Sequence, residues 1–502
     1  MTAALELEGL RIDFGGSAVV DGVSLTVSRG ECVAIVGESG AGKTLTARAL
    51  LGLAPTGATV RADRLVVDGT DARGLGERGW RSLRGRRIGL VSQDALVSLD
   101  PLQRVGSEIA EPLRIHRLVS GRHALQSRVQ ELLHRVWMPD GERRARQYPH
   151  ELSGGLRQRA LIASALAADP AVLVADEPTT ALDATVQARI LDLLREIADA
   201  GTAVVFISHD IAAVRRIADR VLVMRDGEVV ESGTTRDVLE APQHDYTRQL
   251  LAATMHEPRA AAEGTAAPVL VAVEVAKDFG EISAVRDASF SVPGGRTLGV
   301  VGESGSGKTT LARMIVGIEA PDGGSLRWIG DRRVQLVHQN PLGAFDPRWT
   351  IARSLREALA AGGVPRAQRG ARVTELLAEV GLDPSLAARR PIALSGGQRQ
   401  RAAIARALAA DPDVLVLDEP VSALDPSVRE RVLQLLRRLQ RERRLTMVFV
   451  SHDLDVVGAM ADEVLVMQEG VIVEQGLIAD VFAAPQHPFT RELLEASGSV
   501  SP

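Results

Sequence analysis

The stretch GESGAGKT, Gly37–Thr44, returns as GESGSGKT at Gly302–Thr309. Each copy follows an apolar run, CVAIV or TLGVV, and leads into a helix-like segment, TARALLGL or TLARMIVGI. Strand, glycine-rich turn and helix, in that order, is the context in which this pattern cradles phosphate. The glycines let the backbone wrap an anion. Gly37, Glu38, Ser39, Gly40, Ala41 and Gly42, and likewise Gly302, Glu303, Ser304, Gly305, Ser306 and Gly307, are expected to turn N–H groups inward at a helix N-terminus. Lys43 and Lys308 are expected at the β- and γ-phosphates, and the hydroxyls of Thr44 and Thr309 on Mg²⁺. The pattern therefore predicts a P-loop α/β core at two places in one chain.

Other landmarks repeat in the same order. LVSQDALVSLDP and LVHQNPLGAFDP carry Gln93 and Gln339, LSGGLRQRA and LSGGQRQRA carry Ser153 and Ser395, VLVADEP and VLVLDEP carry Asp176 and Asp418, and FISHD and FVSHD carry His209 and His452. The offset is 302 − 37 = 265 at the loop and 339 − 93 = 246 at the glutamine, then nearly constant (418 − 176 = 242). One module is thus written twice. The first copy is longer in one place, where it reads RADRLVVDGTDARGLGERGWRSLRGRR. Residues 1–251 and 269–502 are the expected modules, and the alanine-rich stretch 252–268 the linker. Strand-like runs alternate with helical patterns in each, arguing α/β. A β-rich start (LELEGLRIDF, VAVEVAKDF) precedes each core. The helix-patterned segments from Gln93 to about Ala168 and from Gln339 to about Ala410 predict an α-helical subdomain.

Composition excludes more than it assigns. With 502 residues, 45% hydrophobic and 25% charged, the chain has ordinary globular values and room for two to four domains. A net charge of −5 with 3% aromatic residues gives no support to a nucleic-acid surface. The single cysteine, Cys32, rules out an internal disulfide or a cysteine-only cluster and suggests a reducing compartment. No apolar run is long enough to span a bilayer, and MTAALELEGL does not read as a signal peptide.

AVLVADEP and DVLVLDEP are apolar strands ending in paired acids, which packing does not require. Asp176 and Asp418 can hold Mg²⁺, and Glu177 and Glu419 can polarise an attacking water. His209 and His452 end another apolar strand, where an imidazole can bond the γ-phosphate and orient that water. Ser153, Gly154 and Gly155, with Ser395, Gly396 and Gly397, open a second helix N-terminus suited to an anion. Its own site already has a phosphate loop, so two modules arranged head to tail are expected to close each other's sites. The copies differ at Leu156 against Gln398. Gln398 can hydrogen-bond the nucleotide at Lys43, whereas Leu156 offers apolar contact or packs on its own helix.

In these motifs the chain resembles an ATP-binding cassette (ABC) ATPase with two fused nucleotide-binding domains over nearly all of both halves. The resemblance implies a RecA-like α/β core with β-rich and α-helical subdomains in each module. It makes Gln93 and Gln339 Q-loop residues with catalytic and Mg²⁺-binding roles, and Asp183 and Asp425 D-loop residues at the nucleotide. It also puts Phe14 and Phe279 on the adenine, although both can equally be buried core aromatics. The stretches flanking the Q-loop, and the tails APQHDYTRQLL and APQHPFTRELL, resemble the dipeptide, oligopeptide and nickel importer group. That likeness implies ATP and Mg²⁺ as ligands and a peripheral place on the cytoplasmic membrane face. It further implies two permease subunits and an extracytoplasmic solute-binding protein as partners, and no nucleic acid. Fused sugar-importer ATPases and soluble twin-cassette translation factors are the rivals. The former typically have a degenerate module and the latter a long charged linker, whereas both sites here keep Lys, Asp, Glu and His.

Overall fold

VLVAD, AVVFI and CVAIV lack any polar break, and as the strands Val172–Asp176, Ala203–Ile207 and Cys32–Val36 every residue in them is buried. Strands buried on both faces suit a parallel sheet covered by helices. The structure, a computed structural model, describes residues 3–93, 95–180, 182–252, 266–422, 424 and 426–497. It divides into two compact units.

In the first unit the central sheet runs, edge to edge, through Glu228–Thr234, Arg220–Arg225, Cys32–Val36, Ala203–Ile207, Val172–Asp176 and Ile88–Val91. All neighbours are parallel except the outermost pair, Arg220–Arg225 with Glu228–Thr234. A second, antiparallel sheet is built on Ala3–Phe14 and Ser17–Ser28. Arg64–Val67 pairs with Ala3–Phe14 in that sheet, and the extra segment of this copy adds the short strand Thr70–Asp71 beside it and the helix Glu77–Leu83. Trp80 of that helix lies so close to Gly52 that a Cβ there would fall 2.3 Å from the ring. Helices Val105–Ile115, Arg122–Arg135 and Gly154–Leu166 form the helical subdomain and share one apolar core with the central sheet. Burial there pushes the Cys32 thiol up to about 12, so it is an inert packing residue.

The second unit repeats the order of the central sheet: Val471–Leu477, Glu463–Gln468, Thr297–Gly302, Thr446–Val450, Val414–Asp418 and Val334–Val337. Its antiparallel sheet has three strands, Ile282–Pro293, Pro268–Phe279 and Gly323–Trp328. Helices Ile351–Ala361, Arg369–Glu379 and Gly396–Leu408 make its helical subdomain. The tandem α/β organisation with β-rich and helical subdomains is therefore as expected. Of the anticipated linker, Ala252 ends the helix Asp245–Ala252 and Pro268 begins a strand, while residues 253–265 lie outside the described ones. Among the described residues no helix is long and apolar enough to cross a membrane.

Two candidate nucleotide sites

Each phosphate loop leaves the sheet at the carboxyl end of a central strand, where ligands of open α/β sheets gather. Gly37 can only be glycine. Its φ is +151°, and a Cβ would sit 2.2 Å from the Met224 carbonyl oxygen. The loop then turns through Gly42 in the left-handed region, φ 96°, into the helix Lys43–Leu50. Lys43 is 6% exposed, and its ammonium donates to the carbonyls of Gly37 at 2.7 Å and Glu38 at 2.9 Å. The second loop repeats this: Lys308, 5% exposed, donates to Gly302 at 2.8 Å and Glu303 at 2.7 Å. Burial lowers the Lys308 pKa, opposed by the Glu419 and Asp418 carboxylates nearby.

The paired acids end the neighbouring strand. Thr44 Oγ1 donates to Asp176 Oδ1 at 3.2 Å, and Thr309 to Asp418 at the same distance. Burial raises the pKa of both aspartates; the threonine hydroxyls lower it and the adjacent glutamates raise it again. Glu177 and Glu419 adopt left-handed backbone conformations, φ 48° and 46°, which cost on the order of 1 kcal/mol or more in a non-glycine residue. Their N–H groups donate to Ile207 and Val450 at 2.9 Å, so the next strand holds that turn.

Three side chains converge on the Glu177 carboxylate. His209 Nδ1 lies 3.2 Å from Oε1, while Gln93 Nε2 and Thr180 Oγ1 donate to Oε2 at 3.0 and 3.1 Å. Around Glu419, His452 Nδ1 lies 3.1 Å from Oε1 and Gln339 Nε2 donates to Oε2 at 2.8 Å. Burial pushes both glutamates up, yet the histidine, the lysine and the hydroxyl neighbours hold them below the usual range, so both are ionised at neutral pH. The SHD motif places its histidine by capping: Asp210 accepts from the N–H groups of Ala212 and Ala213 and starts the helix Ile211–Ile217 just beyond His209. Asp453 caps Leu454–Met460, accepting from the Val456 N–H at 3.2 Å.

Other predicted positions divide. Ser153 and Ser395 are exposed N-cap residues of Gly154–Leu166 and Gly396–Leu408. Gly154 and Gly396 are exposed too, but Gly155 and Gly397 have a packing reason to be glycine. A Cβ would fall 2.4 Å from Val186 and 2.2 Å from Val428. Gln398 completes a capping box, its side-chain oxygen accepting from the Ser395 N–H at 3.1 Å. Leu156 is half-buried against its own unit's core. Phe14 packs on the first unit's other apolar core, beneath its antiparallel sheet. Phe279 is 46% exposed, which removes the core reading, and Lys277 stands 5.5 Å from its ring. Asp183 precedes the helix Ala184–Asp199; Asp425 lies outside the described residues.

A family model described as ABC transporter matches residues 20–180 and 285–422. The chain belongs to the ABC transporter ATPases. It is accordingly an ATP-binding protein that hydrolyses ATP. A second model, for the C-terminal region of oligopeptide/dipeptide transporters, matches residues 230–271. A peptidoglycan transport ATP-binding protein of Agrobacterium fabrum is 42% identical over 96% of this chain and 94% of its own. A glutathione import ATP-binding protein of Escherichia coli is 40% identical over 98% and 89%. An oligopeptide transport ATP-binding protein of Mycobacterium bovis is 38% identical over 99% and 98%. Among solved structures, the RNase-L inhibitor superposes with a TM-score of 0.66 at 21% identity, covering 97% of this chain and 93% of that one. At that identity the likeness shows the fold alone.

Thr180, Tyr246 and the acids behind the end of each module of this ABC ATPase stand outside the sequence expectations. Glu231 accepts from the N–H groups of Gln243 and His244 at 2.7 and 3.1 Å. Glu474 does so from Gln486 and His487 at 2.8 and 3.0 Å. The repeated APQH was the available signal: the adjacent N–H groups of its last two residues, part-buried at the histidine, share one carboxylate acceptor.

Proposed function

We propose that the chain energises import of peptides or peptide-like compounds as the ATPase of a membrane transporter. The observation that carries this is the pair of complete sites, Lys43–Asp176–Glu177–His209 and Lys308–Asp418–Glu419–His452, in a chain whose residues 230–271, where the first module ends, match the oligopeptide/dipeptide C-terminal region. The full-length relatives named for peptidoglycan, glutathione and oligopeptide transport support the substrate class. Two permease subunits, an extracytoplasmic binding protein and a peripheral place at the cytoplasmic membrane face follow from the same reading.

Glu177 and Glu419 act as general bases on the attacking water, which requires the ionised state that their neighbours maintain. His209 and His452 fix those carboxylates through Nδ1 and keep Nε2 for the substrate. Lys43 and Lys308 exchange loop carbonyls for phosphate oxygens. The hydroxyl–carboxylate pairs Thr44–Asp176 and Thr309–Asp418 are hard oxygen donors that fit Mg²⁺, with Gln93 and Gln339 as further ligands; bound there, the ion would neutralise phosphate charge. The exposed N-termini at Ser153 and Ser395 take the nucleotide of the opposite module, in a head-to-tail pair. Photo-crosslinking from ATP held at Lys43 is expected to label the segment around Ser395; labelling of Ser153 instead overturns that arrangement.

A chromosomal deletion tests the substrate class. Uptake of labelled di- and oligopeptides is expected to fall and to return with the wild-type chain but not with Glu177→Gln/Glu419→Gln. Unchanged peptide uptake alongside a lost sugar uptake overturns the reading in favour of the sugar class.

A further inference from the structure

We infer that Tyr246 is a positioning residue for the lysine of the first nucleotide site, and that the second site lacks this device. The Tyr246 side chain is 5% exposed, and its hydroxyl accepts a hydrogen bond from the Glu38 N–H at 3.0 Å. That N–H belongs to the same peptide unit as the Gly37 carbonyl, on which the Lys43 ammonium rests at 2.7 Å. A peptide is planar, so fixing its N–H fixes its carbonyl. Tyr246, the Gly37–Glu38 peptide and Lys43 therefore form one chain of hydrogen bonds, in which each bond polarises the next. The ring is itself held: the Arg225 guanidinium lies 5.0 Å from its centroid, and the Tyr246 N–H donates to His244 Nδ1 at 3.1 Å.

The second unit builds the same anchor around a different ring. Phe489 donates its N–H to His487 Nδ1 at 3.2 Å and is 4% exposed, but it has no hydroxyl to offer the Glu303 N–H. Gln468 stands where the first unit has Arg225, each being the last residue of its strand. Both members of the Arg–Tyr pair are thus replaced together. The tail segment grips the phosphate loop in one unit and only packs in the other, so the two ATP sites differ in how firmly the lysine is oriented.

The inference rests on Lys43 and Lys308 holding phosphate, and site-resolved titration separates the two ideas. ATP binding is measured with Lys308→Ala, which leaves the Lys43 site, and with Lys43→Ala, which leaves the other. Tyr246→Phe is expected to weaken binding about two- to tenfold in the Lys308→Ala chain, the worth of one neutral hydrogen bond, and to leave the Lys43→Ala chain unchanged. Phe489→Tyr is expected to tighten the remaining site of the Lys43→Ala chain. The chain has two tyrosines, so ¹³Cζ-tyrosine labelling gives two NMR signals. The one absent from Tyr246→Phe is expected to move when ATP is added to the Lys308→Ala chain and to stay still in the Lys43→Ala chain. Equal weakening in both backgrounds, or none in either together with a stationary Tyr246 signal, overturns the inference. Undiminished binding of two nucleotides by Lys43→Ala/Lys308→Ala overturns the phosphate-loop reading itself.

Discussion

Glu419 and His452 illustrate how single residues tune one another. Burial lowers the His452 pKa, but the Glu419 carboxylate beside it overrides this and leaves it above 6.5. Burial likewise raises Glu419, while His452 and Lys308 bring it below 4.5. The raised histidine contributes stability that is complete below 6.5 and is lost as pH climbs through its folded pKa. The depressed glutamate contributes stability that is complete above 4.5 and is lost as pH falls through its own. The pair is expected to stabilise the second unit fully between pH 4.5 and 6.5. An NMR titration should place the His452 midpoint above 6.5, and Glu419→Gln should lower it; an unmoved midpoint would separate the two residues. For catalysis, Glu177→Gln with Glu419→Gln keeps side-chain volume but removes the base. Phosphate release should fall at least about a hundredfold while ATP still binds, and near-normal release would remove these carboxylates from the chemistry.

At the scale of elements, the signature helices Gly154–Leu166 and Gly396–Leu408 make two uses of adjacent glycines. Gly154 and Gly396 face solvent, whereas Gly155 and Gly397 admit the β-branched Val186 and Val428 of the next helix. A stiff valine cannot swing aside, so Gly155→Ala or Gly397→Ala forces a backbone shift costing about 1–3 kcal/mol. Denaturant unfolding should register that loss, and Gly154→Ala should be milder because its nearest neighbour, Leu182, stays 3.4 Å away. A tightly defined helix pair that tolerated Gly155→Ala without loss would contradict this packing. The capping box at Ser395 also bears on the Leu156–Gln398 difference. The Gln398 oxygen is engaged by its own helix, so its amide N–H is the group left for a nucleotide.

For the whole molecule, two units with the same sheet order and the same side-chain clusters predict two competent sites. Titration of the Glu177→Gln/Glu419→Gln chain should reach two ATP per chain, and adding Lys43→Ala should remove one of them. Saturation at a single ATP in the double variant would mean that one phosphate loop is silent despite its complete set of residues. The extra segment of the first copy changes none of this, because Thr70–Asp71 and Glu77–Leu83 enlarge the antiparallel sheet and its flank rather than the strands that bear the site.

The duplication, the α/β class and the residues of both phosphate loops and paired acids were legible because they rest on local rules. A glycine-rich turn, an unbroken apolar strand and a terminal acid each state their role within a few residues. Distances across the sheet are not local. That Gln93 and Thr180 join His209 on one carboxylate depends on three separate loops meeting at the strand ends. Gly155 looked like a phosphate residue, yet Val186 thirty-one positions on (186 − 155 = 31) is what forbids a side chain there. Phe14 and Phe279 read alike in sequence, but Phe14 packs on its unit's core while Phe279 is left open to solvent. Tyr246 and Phe489 differ by one oxygen, and only the folded tail, which carries Tyr246 to the Glu38 peptide across 208 residues of chain, gives that oxygen a partner.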